Sequence, residues 1–458
     1  MKFKQTLFLL VAFIFLAGYV YIVEVKQHKK KEEEKKRAEQ VFHFEKDSVK
    51  ILQVRNQYGT FRFEKRGESW QILEPVETEA DKTPITTVLN NLKNAKMQTQ
   101  FTIRPDEKKE FGFTRKAVRV QLELTDGSRD SLIFGDKTPV GANVFATRGD
   151  TVVFTVPQYI KTSLEKRLFD WRDKKVLHFK RADVQRVVIK SPKGRFEFVR
   201  EKDNQWMIKN INRPADSGQL NTVFSKLEYG RAKAFVDEEG TRLKQYGLKP
   251  HRYEVTLFLS AEKGSRTLLI SRKIDGKYYA QDISRKPIFE VDSTLVREIR
   301  KDLKDFRSRD FAEFDRDKVS RIELDYDDVH LVMVKDTSDQ WWLDAEGETR
   351  VKNSEVSSFL TSLNFTRIAD FVVDGTFSEA RYGLDRPYMT IRLFKGEELM
   401  LEAKIGKARG DQYYATTSAY PSVYLIKKED VEDWELKKED LLESPPQPAD
   451  TTEAETIS

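Results

Sequence analysis

Few residues in this chain have the types and spacing that chemistry demands. The five histidines, His28, His43, His178, His251 and His330, are scattered and form no HExxH pair. Metal binding and acid–base work need side chains that converge, and isolated histidines give no sign of that. Cysteine is absent. That removes disulfides, thiolate metal sites, cysteine nucleophiles and a lipidated N-terminal cysteine together. No GxxxxGK or GxGxxG loop and no GxSxG elbow occurs, so neither a phosphate cradle nor an esterase-type serine is in view. The acidic run DYDD at 325–328 lacks the glycine and terminal glutamate of a calcium loop. Catalytic, metal-binding and cofactor-binding residues are therefore assigned to none, no small-molecule substrate is identified, and the chain is expected not to be an enzyme.

Aromatic residues are what remain. Tyr278–Tyr279 and Tyr413–Tyr414 are neighbours in strand-like runs. Adjacent strand residues point to opposite faces, so one of each pair must leave the core and is a candidate to face a ligand. The bland alternative is an ordinary exposed tyrosine on a sheet. Trp70, Trp206 and Trp342 are spaced 136 and 136. Each stands at the start of an apolar strand ahead of a patterned helix, which reads as core rather than as a sugar-stacking platform.

These residues sit on a repeated framework. The stretches EFGFTRKAVRVQLEL (110–124), QYGLKPHRYEVTLFL (245–259) and RYGLDRPYMTIRLF (381–394) are versions of one phrase. In each, a glycine follows an aromatic: Gly112, Gly247 and Gly383. These glycines are expected to end a short helix before the next strand. Apolar residues at i, i+3, i+4 and i+7 recur upstream: Ile85, Val88, Leu89 and Leu92; then Leu220, Val223, Phe224 and Leu227; then Val356, Phe359, Leu360 and Leu363. That is one face of a helix, three times over. Downstream, Val118, Val120, Leu122 and Leu124 alternate with polar residues, as half-buried antiparallel strands do. The fold class is α+β: three tandem repeats of about 135 residues, each a mainly antiparallel sheet of about seven strands with two helices. The repeats are expected over 41–177, 178–312 and 313–443, as three beads in series, either separate or packed on one another, and the Pro-rich acidic tail 444–458 reads as disordered.

The totals add an address. Of 458 residues, 81 are basic and 75 acidic, net +6, and the charges look interspersed. A basic balance of that kind, without accompanying motifs, is weak ground for nucleic-acid binding, and none is expected. Residues 6–23 form an 18-residue apolar run without charge, close to the ~20 that span a bilayer. A cleaved signal peptide is the rival reading, but small residues at both −3 and −1 are missing around Ala17 and Gly18. Residues 1–40 are read as a signal anchor and a charged stalk, the latter helical or a plain spacer. The early helix keeps the N-terminus cytoplasmic and the bulk extracytoplasmic, although the lysines of HKKKEEEKKR weigh the other way. An inner-membrane, single-pass bacterial protein is the expected localisation.

The tryptophan-led strand, the amphipathic helix, the YGL-type turn and the alternating strands, behind an N-terminal anchor, resemble the bacterial domain of unknown function 4340 family. The resemblance covers 41–440 in three copies. Its first copy departs at FGF, which lacks a nearby proline, and its third has WW where the others have one tryptophan. The family offers no functional residues to carry over. It implies an accessory role beside an ABC-transporter or gliding-motility-type membrane complex, with protein binding as the activity. The alternative is a cell-envelope module that binds glycan or peptidoglycan.

Overall fold

The period-two runs of the first repeat fold into strands that spread outward from one central pair. In the computed structural model, which describes residues 8, 10–23, 29–30, 39–201, 204–260, 262–343 and 349–442, these are β1 (Val49–Asn56), β2 (Gly59–Arg66), β3 (Ser69–Glu74), β4 (Thr78–Glu79), β5 (Gln100–Thr102), β6 (Val118–Leu124), β7 (Arg129–Lys137), β8 (Asn143–Thr147) and β9 (Val152–Pro157). The sheet order is β4-β3-β2-β1-β6-β7-β8-β9-β5. Two meanders thus run to opposite edges from the antiparallel pair β1–β6, in which Leu52 faces Leu122 and Val54 faces Val120. The Asp-Gly turn between β6 and β7 forms as its residues demand. Gly127 takes φ +84 and the Asp126 side chain accepts from Ser128 N at 2.8 Å.

Each sheet has nine strands rather than seven, and in the first repeat the two extra ones are short. β4 and β5 have two and three residues, too few to show an alternation, and they flank the helix Lys82–Lys93. That helix is capped by Asp81, whose side chain accepts from Thr83 N. Its four patterned residues are all buried. They pack on the inner face of the sheet with Leu52, Val54, Phe61, Phe63 and Trp70, and with Ile160, Leu164 and Trp171 from the C-terminal helical turns. Burying side chains of this size stabilises by about 1.5–3 kcal/mol each. The same nine-strand order recurs in the second and third sheets. Their helices, Ser217–Glu228 and Asn353–Phe365, also bury the four expected residues.

The second and third repeats begin two residues earlier than the patterns suggest, and the first begins at Val41 as expected. Val41 N bonds Ala95 O at 2.9 Å, Val176 N bonds Gly230 O at 3.1 Å and Phe311 N bonds Thr366 O at 3.1 Å. The second and third repeats therefore start at Val176 and Phe311. Phe311 and Ala312 belong to the core of the third repeat. The chain divides into two compact units, residues 1–175 with 231–235, and residues 176–230 with 236–458. The second and third repeats thus share one unit.

Residues 10–23 are helical. Among the described residues no helix is long and apolar enough to cross a membrane. The expected span of 6–23 includes residues 6, 7 and 9, which lie outside the described residues, as do most of the stalk and the whole of the tail 444–458.

Candidate functional site

The recurring aromatic-glycine phrase is a loop that folds back over the sheet. In the third repeat the helical turn Glu379–Tyr382 ends at Gly383, which is left-handed at φ +71. Gly112 and Gly247 take φ +79 and +63, a conformation that costs other residues strain. The aromatic before each glycine lands on the aromatic before the recurring alanine. Centroid separations are 4.9 Å for Phe111–Phe145, 4.9 Å for Tyr246–Tyr279 and 5.0 Å for Tyr382–Tyr414. The loop lies close to the strand beneath it. A Cβ on Gly135 would sit 2.0 Å from Phe111 O, and one on Gly406 would sit 2.2 Å from Tyr382 O. The second repeat has Ser271 at this position, fully buried. Its hydroxyl donates to Arg272 O at 2.6 Å and accepts from Tyr279 N at 3.0 Å.

This places all four tyrosines singled out from the sequence. Tyr278, Tyr279, Tyr413 and Tyr414 are half-buried. Each pair splits across the sheet, as adjacent strand residues must. Tyr413 packs on the main core and stacks on Tyr388 at 5.4 Å with an 11° tilt. Tyr278 lies 6.5 Å from Tyr253. Tyr414 joins a small second core with Tyr382, Leu384, Val423 and Phe377. The residues that leave the main core are thus met by the landmark loop.

The tryptophan landmarks need one correction. Trp70 and Trp206 are each 4% exposed, and the residue that matches them in the third repeat is Trp341, 5% exposed, not Trp342. Backbone bonding gives the same register. Trp70 O accepts from Ala80 N, Trp206 O from Ala215 N and Trp341 O from Val351 N. Two consecutive strand residues cannot share a face, so Trp342 turns outward and donates from Nε1 to Asp336 Oδ2 at 2.8 Å. Asp336 is held down at about 2, first by the Ser338 hydroxyl and then by this indole.

The most elaborate polar constellation lies within the second unit, where the second and third repeats meet. Asp374 accepts two bonds from the Arg307 guanidinium, at 2.8 and 2.9 Å, and one from the Ser422 hydroxyl at 2.9 Å. Arg213 donates from Nε to Ser422 Oγ at 2.9 Å and from Nη2 to Pro421 O at 2.8 Å. Arg307 also lies 3.7 Å from the Phe371 ring centroid, a cation–π distance. Arg213 and Arg307 are buried and Ser422 is fully so. Burial pulls the Arg307 guanidinium below its ordinary pKa, and Asp374 opposes that. Sequence reasoning missed this group because Arg213 and Ser422 are 209 residues apart. Chemically it is a clamp whose hydrogen bonds are directed at one another.

The first unit has a cleft of about 360 Å³ lined by His43, Phe44, Leu122, Arg129, Asp130 and Arg148. Arg148 is engaged there, since it donates to Asp130 and to Val41 O. His43 and His178 are 135 residues apart and follow the first two residues of their repeats, a recurrence hidden by the scatter of the five histidines. His251 pairs with Glu254 at 3.1 Å and His330 with Asp325. His28 lies outside the described residues.

The family pattern described as "Domain of unknown function (DUF4340)" matches residues 70–213, 206–380 and 341–458. The chain belongs to the DUF4340 family. The three matches begin at Trp70, Trp206 and Trp341, the buried tryptophans of the three sheets. A DUF4340 match is therefore offset from the structural repeat. It starts at the third strand of one sheet and, in the first two matches, runs into the opening strands of the next. No curated protein matches the sequence.

Proposed function

We propose that this DUF4340 protein is a single-pass membrane-anchored protein whose repeats face the extracytoplasmic side and bind other proteins of a membrane complex of the ABC-transporter type. The observation that carries the anchor is the character of helix 10–23. Its Phe13, Ile14, Phe15, Leu16, Val20 and Ile22 are exposed on all sides, Phe15 by 76%. A helix apolar all round is stable only inside a core or a bilayer, and no core covers this one among the described residues. Tyr19 and Tyr21 near its end are equally exposed, where interfacial aromatics anchor a span. The extracytoplasmic placement rests on the short basic N-terminus, and the transporter partner on the family resemblance. Protein binding suits the repeats, whose sheets offer a face of alternating charges opposite the helices, such as Arg392 with Glu402 at 2.9 Å and Asp325 at 3.3 Å.

A gentle detergent pull-down of the full-length chain, run beside a chain lacking residues 1–40, tests this reading. A transporter permease or ATPase enriched only with the anchored form supports it. Retention of no membrane protein by either form counts against it.

A further inference from the structure

Counted by repeat, the charge is far from even. Residues 176–310 carry 30 basic and 19 acidic side chains, net +11, whereas residues 311–442 carry 18 and 28, net −10. The interspersed look of the whole chain is a sum of opposite parts.

The inversion is sharpest at one locus of the repeat. There the turn of the first hairpin, the residue before the central partner strand and the C-terminal helix come together. In the second repeat this locus presents Lys193 in the hairpin turn, Arg252 before the strand Tyr253–Leu259, and Arg297 and Arg300 at the end of the helix Ser293–Ile299, all exposed. Lys190 pairs with Glu254 across the sheet, which sets the hairpin turn and Arg252 at the same end of the strands. Arg300 and Arg252 both oppose the rise that burial gives the Tyr253 phenol. The matching positions of the third repeat, 135 or 136 residues on, are Asp328, Tyr388, Glu432 and Glu435. The Tyr388 hydroxyl donates to Glu435 at 2.5 Å. Burial raises the Tyr326 phenol, and Glu435, Asp327 and Glu439 add to that rise. Asp327, Asp328, Glu432 and Asp433 are exposed. Among the described residues, Lys193, Arg252 and Arg300 form no ion pair, and neither do Asp327, Asp328 and Asp433.

We propose that the basic locus of the second repeat docks on the acidic locus of the third repeat of a second copy, joining chains head to tail. Both loci stand exposed in the same chain, and among the described residues only Arg297 and Glu432 of the residues named as presenting them are ion-paired, with Glu298 at 3.2 Å and Lys428 at 3.5 Å. Like charges gathered on one surface repel one another, and an opposite patch relieves that cost. An anionic membrane surface would suit the basic locus but leaves the acidic one without a partner, whereas a second copy uses both. Each contact leaves a basic locus free at one end and an acidic locus at the other, so the pairing propagates into a ring or a filament. The inference does not depend on the transporter reading.

The test is sedimentation velocity of the full-length chain in an uncharged detergent, at about 0.02 M and about 0.5 M salt, a range over which screening removes surface attraction. Concentration-dependent assemblies at low salt that dissociate at high salt are expected. Arg252→Glu with Arg300→Glu should weaken association about tenfold or more, and so should Asp328→Lys with Glu432→Lys. All four changes in one chain, or an equimolar mixture of the two variants, should restore it. A monomer at both salt concentrations overturns the proposal. So does failure of both the fourfold variant and the mixture to regain association. Binding of the wild type to anionic phospholipid vesicles, lost in Arg252→Glu/Arg300→Glu and unaccompanied by self-association, would assign the basic locus to lipid instead.

Discussion

The ring of Tyr382 packs against the ring of Tyr414 with 5.0 Å between centroids. One belongs to the loop before a central strand, Met389–Lys395, and the other to the second strand after it, Gln412–Thr417. The same pair recurs as Tyr246–Tyr279 and, with phenylalanines, as Phe111–Phe145. The phrase repeated along the sequence is thus half of a docking contact, and the aromatic-alanine landmark is the other half.

Because the first repeat makes this contact with two phenylalanines, the hydroxyls of Tyr279 and Tyr414 are dispensable to it. Tyr279→Phe should change stability by less than about 0.5 kcal/mol. Tyr279→Ala opens a gap under the loop and should cost about 2 kcal/mol, below the roughly 3–5 of a core aromatic because the ring is only half-buried. Urea unfolding of the two variants separates these outcomes.

The tryptophan pair of the third repeat offers a test of register. Trp341 is buried among core residues, while Trp342 points outward to Asp336. Trp341→Ala should destabilise by about 3–5 kcal/mol, as loss of a core aromatic does. Trp342→Ala should cost about 1 kcal/mol or less. Equal losses would mean that the strand is out of register.

Arg307 is buried while its partner Asp374 reaches solvent, so the two members of this ion pair should not cost the same to remove. Asp374→Ala, which strands the buried Arg307 guanidinium, should destabilise the second unit by about 3 kcal/mol, and Arg307→Ala, which leaves a carboxylate that water reaches, by less. Their double-mutant cycle should give a coupling above about 1 kcal/mol. Residues 176–442 should unfold in one transition in the wild type and in two in either variant. Calorimetry would show it.

Asp336 provides a pH signature. Its pKa is depressed from 3.8 to about 2 by bonds from Ser338 and Trp342. The bonds favour the ionised form, so their contribution is fully present above the ordinary value and fades as the pH falls from there toward 2. Titration of the Trp342 indole signal should show a midpoint near that lower value. Ser338→Ala should move it upward.

Much of the repeat is legible in the sequence, and the reason is periodicity. The buried faces Ile85–Leu92, Leu220–Leu227 and Val356–Leu363 follow from 3.6-residue spacing alone. Other features have no such signal. Strands of two and three residues are too short to alternate. Whether Trp341 or Trp342 faces inward depends on a one-residue register that only the partner strand fixes. The Arg213–Ser422 contact joins residues far apart in sequence, and the charge inversion emerges only once the boundaries at Val176 and Phe311 are drawn. The tyrosine pairs read correctly as split between two faces, but the loop that meets Tyr279 and Tyr414 had no sequence sign beyond its own recurrence.

The proposed function requires that helix 10–23 hold the repeats at a membrane with their bulk outside. Fractionation of cells expressing the full-length chain, with an alkaline wash of the membranes and protease added from the extracytoplasmic side, tests it directly. The expected result is a chain that stays in the washed membrane pellet and loses its repeats to the protease. A chain released into the soluble fraction, or repeats protected until the membrane is dissolved, would contradict it.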